Sequence, residues 1–148
     1  MSLAMAAALA VAEQGTVFNM AYAKVGNSPD CSGSWSLPRI VGVRRALEIA
    51  LLSDDVSAEQ AMSLGLINRH VDKGQHEIEA KKLAERIVAS SPAAMTNIKK
   101  LMRQSYDNNL SQQLDAEAEA FATTATGEDF SEAIEAFFER RKPVFRGL

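Results

Sequence analysis

From Gln75 onward the chain repeats one pattern, apolar residues at helical spacing bounded by start and stop signals. Gln75 to Ser90 sets Ile78, Leu83, Ile87 and Val88 against charged neighbours, which predicts an amphipathic helix. Ser91-Pro92 is a cap-then-proline start, and the helix expected from Pro92 to about Tyr106 carries Met95, Ile98, Leu101 and Met102 on one face, read as core. After the break at Asp107-Asn108-Asn109, Leu110-Ser111 opens another helix through about Thr124, with Leu114, Ala118 and Phe121 inward. Asp129-Phe130-Ser131-Glu132 has capping-box spacing and introduces a last helix to Arg141. Helices with one wide apolar face draw most of their stability from whatever covers it. The cover here is their own bundle, further residues of a longer chain, or a neighbouring subunit.

The first half is more mixed. Met1 to Ala12 is apolar and small, lacks a basic leader, and is shorter than the ~20 apolar residues of a membrane span. It reads as a buried helix stopped at Glu13-Gln14-Gly15. A chain that opens in mid-core is expected to be part of a longer protein. Thr16 to Met20 reads as a short strand, Val43 to Leu52 as a helix, and Ser57-Ala58-Glu59-Gln60 as a capping box leading to a stop at Gly65. Leu66 to Val71 is a short extended piece. With 47% hydrophobic and 24% charged residues the chain is globular, and a net charge of −3 argues against a nucleic-acid surface. The single Cys31 excludes an internal disulfide and a thiolate-rich metal site.

The stretch richest in chemistry is Val25 to Gly42. Asn27-Ser28-Pro29 has the form of a helix start, which would put Asp30 in the first turn near the free amides. Trp35, Leu37, Ile40 and Val41 would supply an apolar wall, and Pro38 a kink. Two readings are open for Asp30. It is a partner of the helix terminus, or it is a proton carrier whose carboxyl is pushed up by the wall and pulled down by the amides.

Three runs, Ala21 to Asp30 (AYAKVGNSPD), Ser34 to Gly42 (SWSLPRIVG) and Ser57 to Asn68 (SAEQAMSLGLIN), resemble in order and spacing the enoyl-CoA hydratase/isomerase (crotonase) superfamily. The resemblance covers essentially the whole chain but only the second half of the family's catalytic domain. It implies an α/β fold of the ClpP/crotonase spiral type, C-terminal portion only, mostly α-helical with one or two short strands. Residues 1–72 would be the C-terminal part of the catalytic core, without its N-terminal half, and 73–148 a helical trimerisation region.

In that family the thioester carbonyl is held by two backbone N–H groups, so that an enolate is stabilised where its charge appears. Both donors are expected ahead of this segment, which alone would be inactive. The positions that match the hydratases' two glutamates hold Ser2 and Tyr22, so the water-activating pair is absent. Asp30 matches the aspartate of the isomerase-like and aryl-CoA dehalogenase-like branches, where it would act as proton shuttle or as nucleophile respectively. The shuttle is favoured, with a hydratase as runner-up and a non-catalytic CoA-binding protein as the competing class. Tyr22, Cys31 and Trp35 would line the acyl pocket. Cys31-Ser32 departs from the glycines that relatives often show after the aspartate, and Cys31 reads as packing or pocket lining.

In the C-terminal run Phe137 to Phe145, aromatic and basic residues alternate, as a surface for adenine and phosphates would. By the resemblance, Phe137 and Arg140 would reach the CoA of an adjacent subunit in a homotrimer or hexamer. Coenzyme A is then part of the acyl-CoA substrate rather than a cofactor, no metal, nucleic acid or membrane is involved, and the location is cytoplasmic. His70, His76 and the charges at Glu128, Asp129 and Glu132 read as exposed and structural.

Overall fold

The structure is a computed structural model, and it describes residues 1–147. The chain divides into two compact units, Met1–Lys82 and a second from Leu83 on.

In the first unit, helix α1 (Ser2–Ala6) is far shorter than the apolar run predicts, because Val11–Glu13 is a strand, β1. It pairs in parallel with β4 (Arg69–Val71), Val11 opposite Arg69 and Glu13 opposite Val71. The partner lies far along the chain, so no local pattern reveals it. Asn68 fixes the register, its Oδ1 accepting from Ala10 N–H at 2.8 Å while its own N–H donates to the Ala10 carbonyl at 2.8 Å. Strand β2 (Val17–Phe18) pairs antiparallel with β3 (Val56–Ser57). The expected one or two strands are therefore four among the described residues, each of two or three residues.

A 3-10 turn (Ala23–Val25) follows β2, and then come α2 (Gly33–Val41), α3 (Val43–Leu52) and α4 (Ala58–Ser63). The helix expected from Ser28 starts only at Gly33. Asn27 turns its side chain onto the Ser28 amide at 2.8 Å, which favours a local turn over helix. Helix α2 runs on through Pro38 and stops where Gly42 takes φ +77°, a conformation that glycine adopts without strain. The capping box at Ser57 is as expected, with Ser57 Oγ accepting from Gln60 N–H and Gln60 Oε1 from Ser57 N–H. Ala12, Met20, Leu37, Ala46, Ile49, Val56, Ala58, Ala61, Leu66 and Ile67 form one buried cluster. His76, read as isolated, lies 2.7 Å from Glu13, whose carboxyl is held below its usual range by the Gly74 amide first and His76 second.

Helix α5 (His76–Val88) crosses from one unit to the next. The second unit holds α6 (Pro92–Gln104), α7 (Leu110–Ala125) and α8 (Glu128–Glu139). Helix α7 is opened by a capping box between Asn109 and Gln112, where the sequence reading saw only a break. The inward assignment of Leu114 and Phe121 is corrected, since they are 54% and 65% exposed. Ile98 and Met102 of the methionine stripe are exposed as well, so the stripe is not core.

The capping box expected at Asp129 is absent too. Helix α8 begins at Glu128 after Gly127, and Asp129 is inside it and buried. Its carboxylate accepts from the amides of Arg146 at 2.8 Å and Gly147 at 3.2 Å. Glu132 receives Arg141 in a fork at 2.5 and 2.9 Å and the Val144 amide at 2.7 Å. These acids, read from sequence as a solvated face, pin the end of the chain.

Candidate functional site

Tyr22 sits just after β2, and the segment that carries it is fastened to the end of α3. Ser53 is fully buried there, and its Oγ donates to the Met20 carbonyl at 2.9 Å. Its own carbonyl accepts from Asn19 Nδ2 at 2.9 Å and from Lys24 Nζ. The Tyr22 carbonyl in turn closes the 3-10 turn, accepting from Val25 and Asn27 at 3.1 and 3.0 Å. The position of the phenol is thus set by backbone anchored on both sides.

The phenol hydroxyl meets Asp30 Oδ1 at 2.5 Å. Its oxygen also lies 3.2 Å from Ser2 Oγ, which is buried at the start of α1 and has Met20 Sδ at 3.8 Å. Ser2, Tyr22 and Asp30, which the sequence places far apart, are one hydrogen-bonded row. Gly33 makes room for it: a Cβ at that residue would come within 2.7 Å of Ser2 Oγ and 3.0 Å of Met20 Cε.

Asp30 is exposed and precedes α2 rather than lying in its first turn. Its carboxyl is held below the usual range first by the Tyr22 hydroxyl and then by the Cys31 thiol, with burial opposing them and its own backbone amide adding the smallest downward pull. The pull on the carboxyl is downward, and its largest cause is a phenol rather than a helix terminus. The expected apolar wall is not formed. Leu37 is 2% exposed and belongs to the core, whereas Trp35, two residues away and about 200° round the helix, faces outward under Arg39. The guanidinium stands 4.0 Å from the Trp35 ring centroid.

Cys31 and Ser32 both take left-handed backbone, φ 47° and 62°. That explains in physical terms why glycines suit these places, since each non-glycine residue there costs about 1–3 kcal/mol. The Cys31 thiol is exposed, and Asp30 raises its pKa, which disfavours the thiolate. Phe137 and Arg140 are exposed at the end of α8 in the second unit, Phe137 edge-on to Phe138 with centroids 5.7 Å apart.

Two open clefts, of about 460 and 360 Å³, are each lined by residues of a single unit, and Asp30 lines neither. The first is lined by the acids that hold the end of the chain. Among the described residues no group of three or more His, Cys, Asp or Glu side chains could hold a metal, and no helix is long and apolar enough to cross a membrane. From the sequence, Ser2 and Tyr22 stand where the hydratases' two glutamates would, and Tyr22 is also expected to line the acyl pocket. Their link to Asp30 was missed, although both positions were already marked as facing the same chemistry.

The chain is a segment of the crotonase fold, and its candidate site presents one carboxylate, Asp30, bonded to the Tyr22 hydroxyl. An enoyl-CoA hydratase from Polaromonas sp. JS666 superposes with a TM-score of 0.95 at 37% identity, covering 98% of this chain and 56% of that one. The profile of the enoyl-CoA hydratase/isomerase family matches residues 1–147, and the chain belongs to that family. It is 34% identical over 146 residues to the 1,2-epoxyphenylacetyl-CoA isomerase of Escherichia coli K12, covering 99% of this chain and 56% of that protein. It is 35% identical to a probable enoyl-CoA hydratase of Rhodobacter capsulatus, covering 99% of this chain and 57% of that protein. The chain thus spans little more than half the length of these relatives.

Proposed function

We propose that the protein shifts a carbon–carbon double bond within an enoyl-CoA thioester, with Asp30 carrying the proton. The carboxylate removes a proton from the carbon next to the thioester carbonyl, and the electron pair delocalises as an enolate. The protonated Asp30 then returns the proton at the far end of the former double bond, so that atoms and charge balance without added water. The observation that carries this reading is the row itself: one carboxylate with one oxygen bonded to Tyr22, and hydroxyls at both positions where a water-activating pair would need carboxylates.

The amides that stabilise the enolate would come from ahead of Ser2, and the 148 residues alone would then show no turnover. Coenzyme A enters as part of the substrate. Phe137 and Arg140, exposed at a helix end, are suited to an adenine and a phosphate, and the open apolar faces of α7 and α8 support assembly into a homotrimer or hexamer.

Relatives named as hydratases keep a second reading in view. The two are separated by giving the full-length protein a 3-enoyl-CoA and, separately, a 2-enoyl-CoA. The isomerase reading expects the 3-enoyl substrate to become the 2-enoyl product, with no hydroxyacyl-CoA from either. Water addition as the main reaction would replace it.

A further inference from the structure

We propose that Tyr22 is a positioning residue for Asp30: its hydroxyl, backed by Ser2, occupies Oδ1 of the carboxylate and leaves Oδ2 as the oxygen that exchanges a proton with the substrate. The inference rests on the reading of Asp30 as the proton carrier. It adds which oxygen works and what holds the other.

The direction of each bond follows from proton counting. An ionised carboxylate only accepts, so at 2.5 Å the phenol donates to Oδ1. With its one hydrogen committed, the phenol oxygen can only accept, and Ser2 Oγ at 3.2 Å is the donor available to it. The other neighbour of that serine hydroxyl is Met20 Sδ at 3.8 Å, a weak acceptor. Hydrogens therefore point one way along the row, from Ser2 to Tyr22 to Asp30, and each bond polarises the next.

The row is also sterically enforced. Ser2 is buried, and the space over it exists only because residue 33 has no Cβ. This glycine is not needed for a left-handed turn, so the close approach is its reason. The groups that act on the Asp30 carboxyl are Tyr22 from the segment after β2, and Cys31 and the backbone from its own. Among the described residues no cationic side chain pairs with it. A fixed Oδ1 restricts the carboxylate to one presentation, which matters for a group that must take a proton from one carbon and give it to another without releasing it.

The test uses the full-length protein as wild type, Tyr22→Phe, Ser2→Ala and Asp30→Asn. Two readouts are taken, steady-state isomerisation across pH and titration of the Asp30 carboxyl followed by carbon-13 NMR. Tyr22→Phe is expected to lower kcat about tenfold with KM within about twofold. It should also move both the NMR titration and the acid limb of kcat/KM to higher pH, because the carboxyl loses the bond that favours its ionised form. Ser2→Ala should shift both in the same direction by less, and it reads the row independently if Tyr22→Phe fails to fold. Wild-type titration and pH profile in both variants would overturn the positioning role. Full activity in Asp30→Asn would instead overturn the reading of Asp30, while the NMR titration would still report whether Tyr22 holds the carboxyl.

Discussion

The first unit gathers ten apolar side chains from strands, helices and connecting segments into one buried cluster, whereas the second, among its described residues, buries only Asp129 and Ala136. Both are built from well-signalled elements. The first has a capping box at Ser57 and the second has one at Asn109. The contrast shows that local signals suffice to make helices, while the buried cluster forms in the unit that holds the strand pairings among the described residues. In the second unit Leu110, Leu114, Phe121 and Phe137 stay exposed, and the firmest ties are polar, from Asp129 and Glu132 to the end of the chain. The candidate site follows the same division. Tyr22 and Asp30 hang from the first unit's core through Met20 and Ser53.

Three perturbations sharpen this comparison. Leu37→Ala, in the first unit's core, is expected to cost about 2–5 kcal/mol by urea unfolding, and a loss below about 1 kcal/mol would mean that the cluster is not the stabilising element. Acid should act next, and on the second unit. Glu132 is held down from an ordinary 4.5 to about 2 by Arg141 first and the Val144 amide second. A depressed carboxyl contributes stability that is complete above its unfolded value and is lost as pH falls through the folded one. Protease sensitivity of the last residues should therefore rise between about pH 4.5 and about pH 2. Glu132→Gln should show it already at neutral pH, and equal resistance in the variant would remove the acid from its role. The smallest effect belongs to Leu110→Ala, at 74% exposure, expected within about 0.5 kcal/mol in the 148-residue chain. A loss above about 1.5 kcal/mol would show that this face is already covered.

Much of the architecture was legible where the signal is local. The Ser57 capping box, the proline start at Pro92 and the glycine stop at Gly42 each stand where their chemistry suggests. Errors arose where distant residues decide. Val11 and Ala12 looked like the end of an Ala-rich helix, yet Arg69 to Val71 pairs with the strand Val11 to Glu13. Ser28-Pro29 imitated a helix start, but the Asn27 side chain competes for the amide that a helix would need. Asp129 looked like a cap and serves instead as an anchor for Arg146 and Gly147, a partnership that no spacing rule encodes. At the site, Asp30 was legible as a candidate from the motif around it. Its phenol partner was not, because the bond depends on how the turn between Tyr22 and Gly33 folds back, and on a glycine that matters for the space it leaves.

The central claim is that a single carboxylate moves the proton, and replacing that carboxylate by its neutral isostere tests it most directly. In the full-length protein, Asp30→Asn keeps the size of the side chain and its ability to meet the Tyr22 hydroxyl, but it cannot accept a proton from carbon. With a 3-enoyl-CoA as substrate, the account predicts that kcat falls by about 10²–10⁴-fold while the variant unfolds at an unchanged urea concentration. Isomerisation at the wild-type rate by the folded variant would contradict it.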